Sequence, residues 1–214
     1  MLKAAIVYLQ GSGGNLLSRS LSLSEKTVAY LPVEYSQQQP YLKLSAPDRF
    51  AFYNNWDHTN WIKSESLNIW YKHGRQDFVK YENSDLWLID QFHPAMFKSE
   101  TIKQVLWDNI SVWEHLIFVK YQSSSIGLIK KLAKLKRPDL AHIGQIDFAE
   151  VSTFDEMQHD YPATMINWED MLVQTDYIKI IAQLSEKLNL DLDLTLVTKL
   201  WQSWKTSTGK LLNE

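Results

Sequence analysis

The chain has 214 residues, 45% of them hydrophobic, enough for one substantial core in a single domain over 1–214. Its formal net charge of −3 carries no basic excess, which speaks against a nucleic-acid binder or a membrane-coat protein. It has no cysteine, so disulfides, thiolate metal sites and cysteine nucleophiles are excluded, and a reducing, cytoplasmic setting is expected.

Residues 3–9, KAAIVYL, form a short apolar run of strand formers. The run is too short for a secretory leader, and no stretch of about 18 apolar residues occurs, so no membrane span is expected. A turn of small residues follows, QGSGGNLLSR. Gly11, Gly13 and Gly14 permit close backbone approach there. Asn15 is a plausible N-cap for a helix that puts Leu16, Leu17, Leu21 and Leu23 on one side. A helix start offers amides and a positive dipole end to a phosphate, with Arg19 the nearest cation. The Walker pattern G-x-x-x-x-G-K-[ST] is absent, so an ordinary nucleotide triphosphatase is not expected.

Further strands are expected within 26–34, 85–94 and 114–122, and helices over 45–56, 60–74, 99–109 and 123–136. Residues 45–82 form a helical insertion, 138–165 are irregular, and the C-terminal region from Ile166 is helical. In the helix over 123–136, Ile126, Ile129, Leu132, Ala133 and Leu135 face inward and the lysines outward. Lys130, Lys131, Lys134, Lys136 and Arg137 read as a solvated stripe, or as a surface for an anionic partner.

Alternating strands and helices imply an α/β fold, a three-layer, mostly parallel sheet with helices on both faces. Ligands in such sheets sit at the carboxyl ends of strands. Three places there carry candidate chemistry. The first is Gly11, Ser12, Gly13, Gly14 and Asn15 with Arg19, as a phosphate cradle or as a bare structural turn. The second is His93, at the end of LIDQFHP, as a general base or a hydrogen-bonded structural histidine. The third is Lys120 with Ser123, Ser124 and Ser125, as a second phosphate site or as helix caps and solvated charge. The other histidines show no metal spacing, no metal site is expected, and no G-x-S-x-G elbow occurs. Nine Trp and ten Tyr supply core, or stacking surfaces for a sugar or base. Aromatics near 200–204 are candidates for pairing two subunits as a homodimer.

The order of these motifs resembles the sulfotransferase family of P-loop-like α/β proteins, a fold related to P-loop NTPases. Ser12 and Gly13 match the family's Ser-Gly, with Gly14 and Asn15 in place of its threonines. DQFHP resembles its Lys-Thr-His-Leu-Pro-like stretch, and Trp168, Glu169, Asp170 and Leu172 stand in the order of its late Glu-Asp-Leu helix. The resemblance implies sulfuryl transfer from 3′-phosphoadenosine 5′-phosphosulfate (PAPS) to a hydroxyl of a small-molecule or saccharide acceptor. It implies His93 as the base, the first loop on the 5′-phosphosulfate, and Lys120 with one of Ser123–Ser125 on the 3′-phosphate. Trp56, Trp61, Trp70 and Tyr71 would wall the acceptor pocket. Two departures stand out. Gln10-Gly11 replaces the usual loop cation, and Lys120 replaces an arginine, losing the planar bidentate contact. Lys205 and Lys210 only echo the family's C-terminal Arg-Lys-Gly. The alternative is a non-catalytic nucleotide-binding or protein-interaction module on the same fold.

Overall fold

Four short strands pair side by side in the computed structural model, which describes residues 3–8, 11–27, 44–54, 88–92, 114–136 and 163–213. They are β1 (Lys3–Val7), β2 (Leu88–Phe92), β3 (His115–Lys120) and β4 (Ala163–Asn167), in the order β2-β1-β3-β4. Every neighbouring pair is parallel. Val7 lies opposite Phe92 on one side and Phe118 on the other, and Lys120 lies opposite Asn167. The carboxyl ends of all four strands therefore share one edge. β2 lies on one side of β1 and β3 on the other, so the strand order reverses between β1 and β3. Ligand crevices of open α/β sheets form outside such a reversal.

Ala4–Val7 and Leu116–Val119 are buried, as expected of parallel strands covered on both faces. In β4, Ala163–Met165 are half-buried, Ile166 is buried and Asn167 is exposed, so the last three residues of the stretch expected to be irregular over 138–165 are strand. Three of the four expected strands are present as β1, β2 and β3. Most of the strand expected within 26–34 lies outside the described residues, as do the helices over 60–74 and 99–109.

The helices are α1 (Gly14–Leu21), α2 (Ala46–Tyr53), α3 (Ile126–Lys136), α4 (Trp168–Met171), α5 (Gln174–Lys187) and α6 (Leu194–Asn213). Leu16, Leu17 and Leu21 of α1, and Leu23 beyond it, are buried as their spacing requires. Each such leucine contributes roughly 1.5–3 kcal/mol by leaving water. They join Tyr177, Ile181, Val197, Leu200 and Trp204 in one core cluster. Tyr177 bridges α5 to α1, sharing a 2.7 Å hydrogen bond with Ser20 and donating to the Leu16 carbonyl at 3.3 Å. In α3, Ile129, Leu132 and Ala133 are buried, Lys131 is exposed, and Ile126 and Leu135 are half-buried.

α2 starts as its sequence directs. Ser45 accepts from the Asp48 amide at 3.4 Å, and Pro47 stands in the first turn. Its Arg49 is 3% exposed and ties α2 to the segment after α1. Nη1 donates to the carbonyls of Ser22, Ser24 and Thr27 and to the Thr27 hydroxyl, at 2.7–3.0 Å, and Nε donates to Leu44.

Three expectations change. α1 is capped by Gly13 in the left-handed region, so Asn15 lies inside the first turn and is not the cap. The helix expected from Ile166 begins only at Trp168, because Ile166 and Asn167 end β4; it is a short α4, a break at Leu172-Val173, and then α5. Trp201 and Trp204 are 8% and 2% exposed, so these aromatics belong to the core and supply no surface for pairing subunits. Among the described residues no helix is long and apolar enough to cross a membrane.

Candidate functional site

The β1–α1 loop sits at the carboxyl edge beside the strand-order reversal. Gly11 has φ +94°, and a Cβ there would come within 2.5 Å of the Ile129 carbonyl, so only glycine lets the loop back onto α3. Gly14 opens α1 with the Tyr8 ring against it; a Cβ would lie 2.2 Å from the ring. The Gly13 carbonyl accepts from Leu16 and Leu17 at 2.9 and 3.2 Å. Helix geometry leaves the amides of the first turn without an acceptor one turn back. Asn15 is exposed, and the Tyr8 hydroxyl donates to its Oδ1 at 3.3 Å. Ser12 is fully buried.

Arg19 is brought elsewhere. It is 6% exposed in the last turn of α1, and Nη1 donates to the Tyr53 carbonyl at 2.8 Å, at the C-terminal end of α2. A cation suits that end of a helix. The contact accounts for an arginine in the core without a phosphate.

Lys120 ends β3 and is half-buried. Tyr121 follows; burial pushes its phenol well above its ordinary range, so it stays neutral. Ser123–Ser125 then form a 3-10 turn leading into α3. Ser123 and Ser124 are exposed and Ser125 is half-buried. No serine is the N-cap; Gln122 holds that position, with no side-chain cap of its own. The capping oxygen arrives from α4. The Gln122 amide donates to Glu169 Oε1 at 2.8 Å, and the Ser125 hydroxyl donates to the same oxygen. Burial opposes ionisation of Glu169, but the Ser125 hydroxyl and the amides of Gln122 and Glu169 outweigh it and hold the carboxyl below its ordinary range. Glu169 Oε2 is shielded from solvent and has no hydrogen-bond partner among the described residues.

α4 is firmly held. Trp168 and Met171 are buried. Trp201 Nε1 donates to the Met171 carbonyl at 2.8 Å, and Lys205 Nζ donates to Leu172 at 3.1 Å. Lys205 thus closes a helix end. α4 also adjoins the first loop, since a Cβ on Gly13 would lie 3.0 Å from Met171 Cε. The two strand-end loops and Glu169 are therefore neighbours at one edge.

His93 follows Phe92, the last residue of β2, and lies outside the described residues, as do Trp56, Trp61, Trp70 and Tyr71. At the opposite, amino edge, His115 Nε2 and Thr164 Oγ1 are 2.9 Å apart, and Lys187 Nζ donates to the same hydroxyl at 2.9 Å. Burial, then the Lys187 charge, lowers His115 to about 4, so its ring is neutral. Among the described residues no cluster of three or more His, Asp or Glu is placed to hold a metal ion.

Sequence reasoning noted Glu169 only for its place in a motif. Its partner Ser125 is 44 residues away, and no local pattern announces that contact. Compared with known proteins, the chain matches no family model, no curated protein and no solved structure.

Proposed function

We propose that the chain is a sulfotransferase-like nucleotide-binding protein, with the 5′-phosphate end of an adenine nucleotide seated on Gly11–Asn15. Its acceptor would be the hydroxyl of a small molecule or saccharide. The observation that carries this reading is the β1–α1 unit. Its glycine loop stands at the carboxyl edge, beside the reversal of strand order, with a helix start directly behind it. The resemblance supplies the rest: PAPS as sulfuryl donor and His93 as base. Gly11–Asn15 offer a nucleotide's 5′ end a glycine loop and the start of a helix. The residues present do not fit the 3′-phosphate of PAPS, because Glu169 takes the amide of Gln122 and the hydroxyl of Ser125.

A second reading is a non-catalytic nucleotide-binding or protein-interaction module. It is favoured by Gln10-Gly11 in place of a loop cation and by the Tyr8 ring packed on Gly14.

Asn15→Asp tests the seat. Asp keeps the oxygen that accepts from Tyr8, and an acid suits a helix start, so the melting temperature should hold or rise slightly. The added charge should weaken calorimetric binding of adenosine 5′-monophosphate (AMP) by about tenfold. Equal affinity in both proteins would remove the loop as the seat.

A further inference from the structure

The strand end after β3, at the carboxyl edge, already holds an anion, and it belongs to the chain. The Gln122 amide and Ser125 hydroxyl, at the start of the helical run Ser123–Lys136, are donors that an external phosphate would use. Both point to Glu169 Oε1. Removing the carboxylate would strip two donors, and α4 is pinned at Met171 and Leu172 from α6, so the group is built in. An ionised carboxylate accepts hydrogen bonds from hydroxyls and repels phosphate oxygens. The same chemistry lets an acidic residue hold a ribose hydroxyl in dinucleotide sites where an arginine would accommodate a phosphate.

We propose that Glu169 is a specificity-determining residue that makes this site select a nucleotide with one phosphorylated end and free ribose hydroxyls over its 3′-phosphorylated counterpart. The inference rests on the reading of Gly11–Asn15 as a nucleotide seat. For sulfuryl transfer it names adenosine 5′-phosphosulfate, without the 3′-phosphate of PAPS, as the donor class.

Calorimetric titration of the full chain with AMP and with adenosine 3′,5′-bisphosphate tests it. The wild type should bind AMP about tenfold more tightly than the bisphosphate. Glu169→Gln keeps an oxygen for Gln122 and Ser125 and removes the charge. It should abolish the preference, bringing AMP and the bisphosphate within about twofold of each other. A wild type that prefers the bisphosphate overturns the proposal and leaves the seat standing. So does a preference unchanged by Glu169→Gln. Binding of neither nucleotide overturns the seat itself, and this inference with it. If the variant does not fold, the wild-type ratio alone decides.

Discussion

Replacing Gly14 by Ala sets two effects against each other. In an open helix Ala is favoured over Gly by about 0.5–1 kcal/mol. At Gly14 the new Cβ would meet Tyr8 at 2.2 Å from Cδ1, 2.3 Å from Cγ and 2.4 Å from Cε1. Carbon atoms prefer to stand about 3.5–4.0 Å apart. Tyr8 is 5% exposed and its hydroxyl donates to Asn15, so the ring cannot turn aside without losing core packing and that bond. Overpacking of this kind costs about 1–3 kcal/mol, which outweighs the helix gain and leaves a net loss of roughly 1–2 kcal/mol. For a chain of this length the melting temperature should fall by roughly 2–8 °C. Gly127, in α3, is the control: it is exposed and a Cβ there meets nothing within 4 Å. Gly127→Ala should therefore stabilise by about 0.5–1 kcal/mol. Scanning calorimetry and urea unfolding followed by tryptophan fluorescence read both variants. A Gly14→Ala protein as stable as Gly127→Ala would refute the packing of Tyr8 on the start of α1.

Arg49→Met keeps the aliphatic stem and deletes five hydrogen bonds to the segment after α1 and to Leu44, which should cost about 3 kcal/mol in urea unfolding. A loss below about 1 kcal/mol would show that water serves those carbonyls equally well. The His115 ring titrates near 4 when folded, against an ordinary value of 6.5. The unfolded chain therefore binds the extra proton first, and stability declines as pH drops from 6.5 towards 4, by up to about 3 kcal/mol. His115→Gln should flatten that decline; an identical slope in the variant would assign it to other groups.

What the sequence conveyed, and what it withheld, follows from the range of the interactions. β1 and β3 were legible because strands buried on both faces are apolar throughout. Ser45 before Ala-Pro-Asp announces α2 because capping is settled within four residues. ATMIN does not read as a strand, since β4 is largely half-buried and so carries no apolar run. Arg19 is expected at the phosphate cradle, and nothing local in the sequence marks Arg49, yet both are buried, because backbone carbonyls brought close by the fold accept from them. At the site, the glycine loop was legible from composition alone. The anion at the serine turn was not, because a carboxylate from α4 supplies it across the sheet edge.

The central claim is that residues Gly11–Asn15 seat a nucleotide phosphate. It is met most directly by following the backbone amide resonances of the isotopically labelled full chain during titration with AMP. The account predicts saturable shifts concentrated at Gly11, Ser12, Gly13, Gly14 and Asn15, absent when adenosine is titrated instead. Saturable shifts confined to other parts of the chain, or none at millimolar AMP, would contradict it and leave the loop as a structural turn.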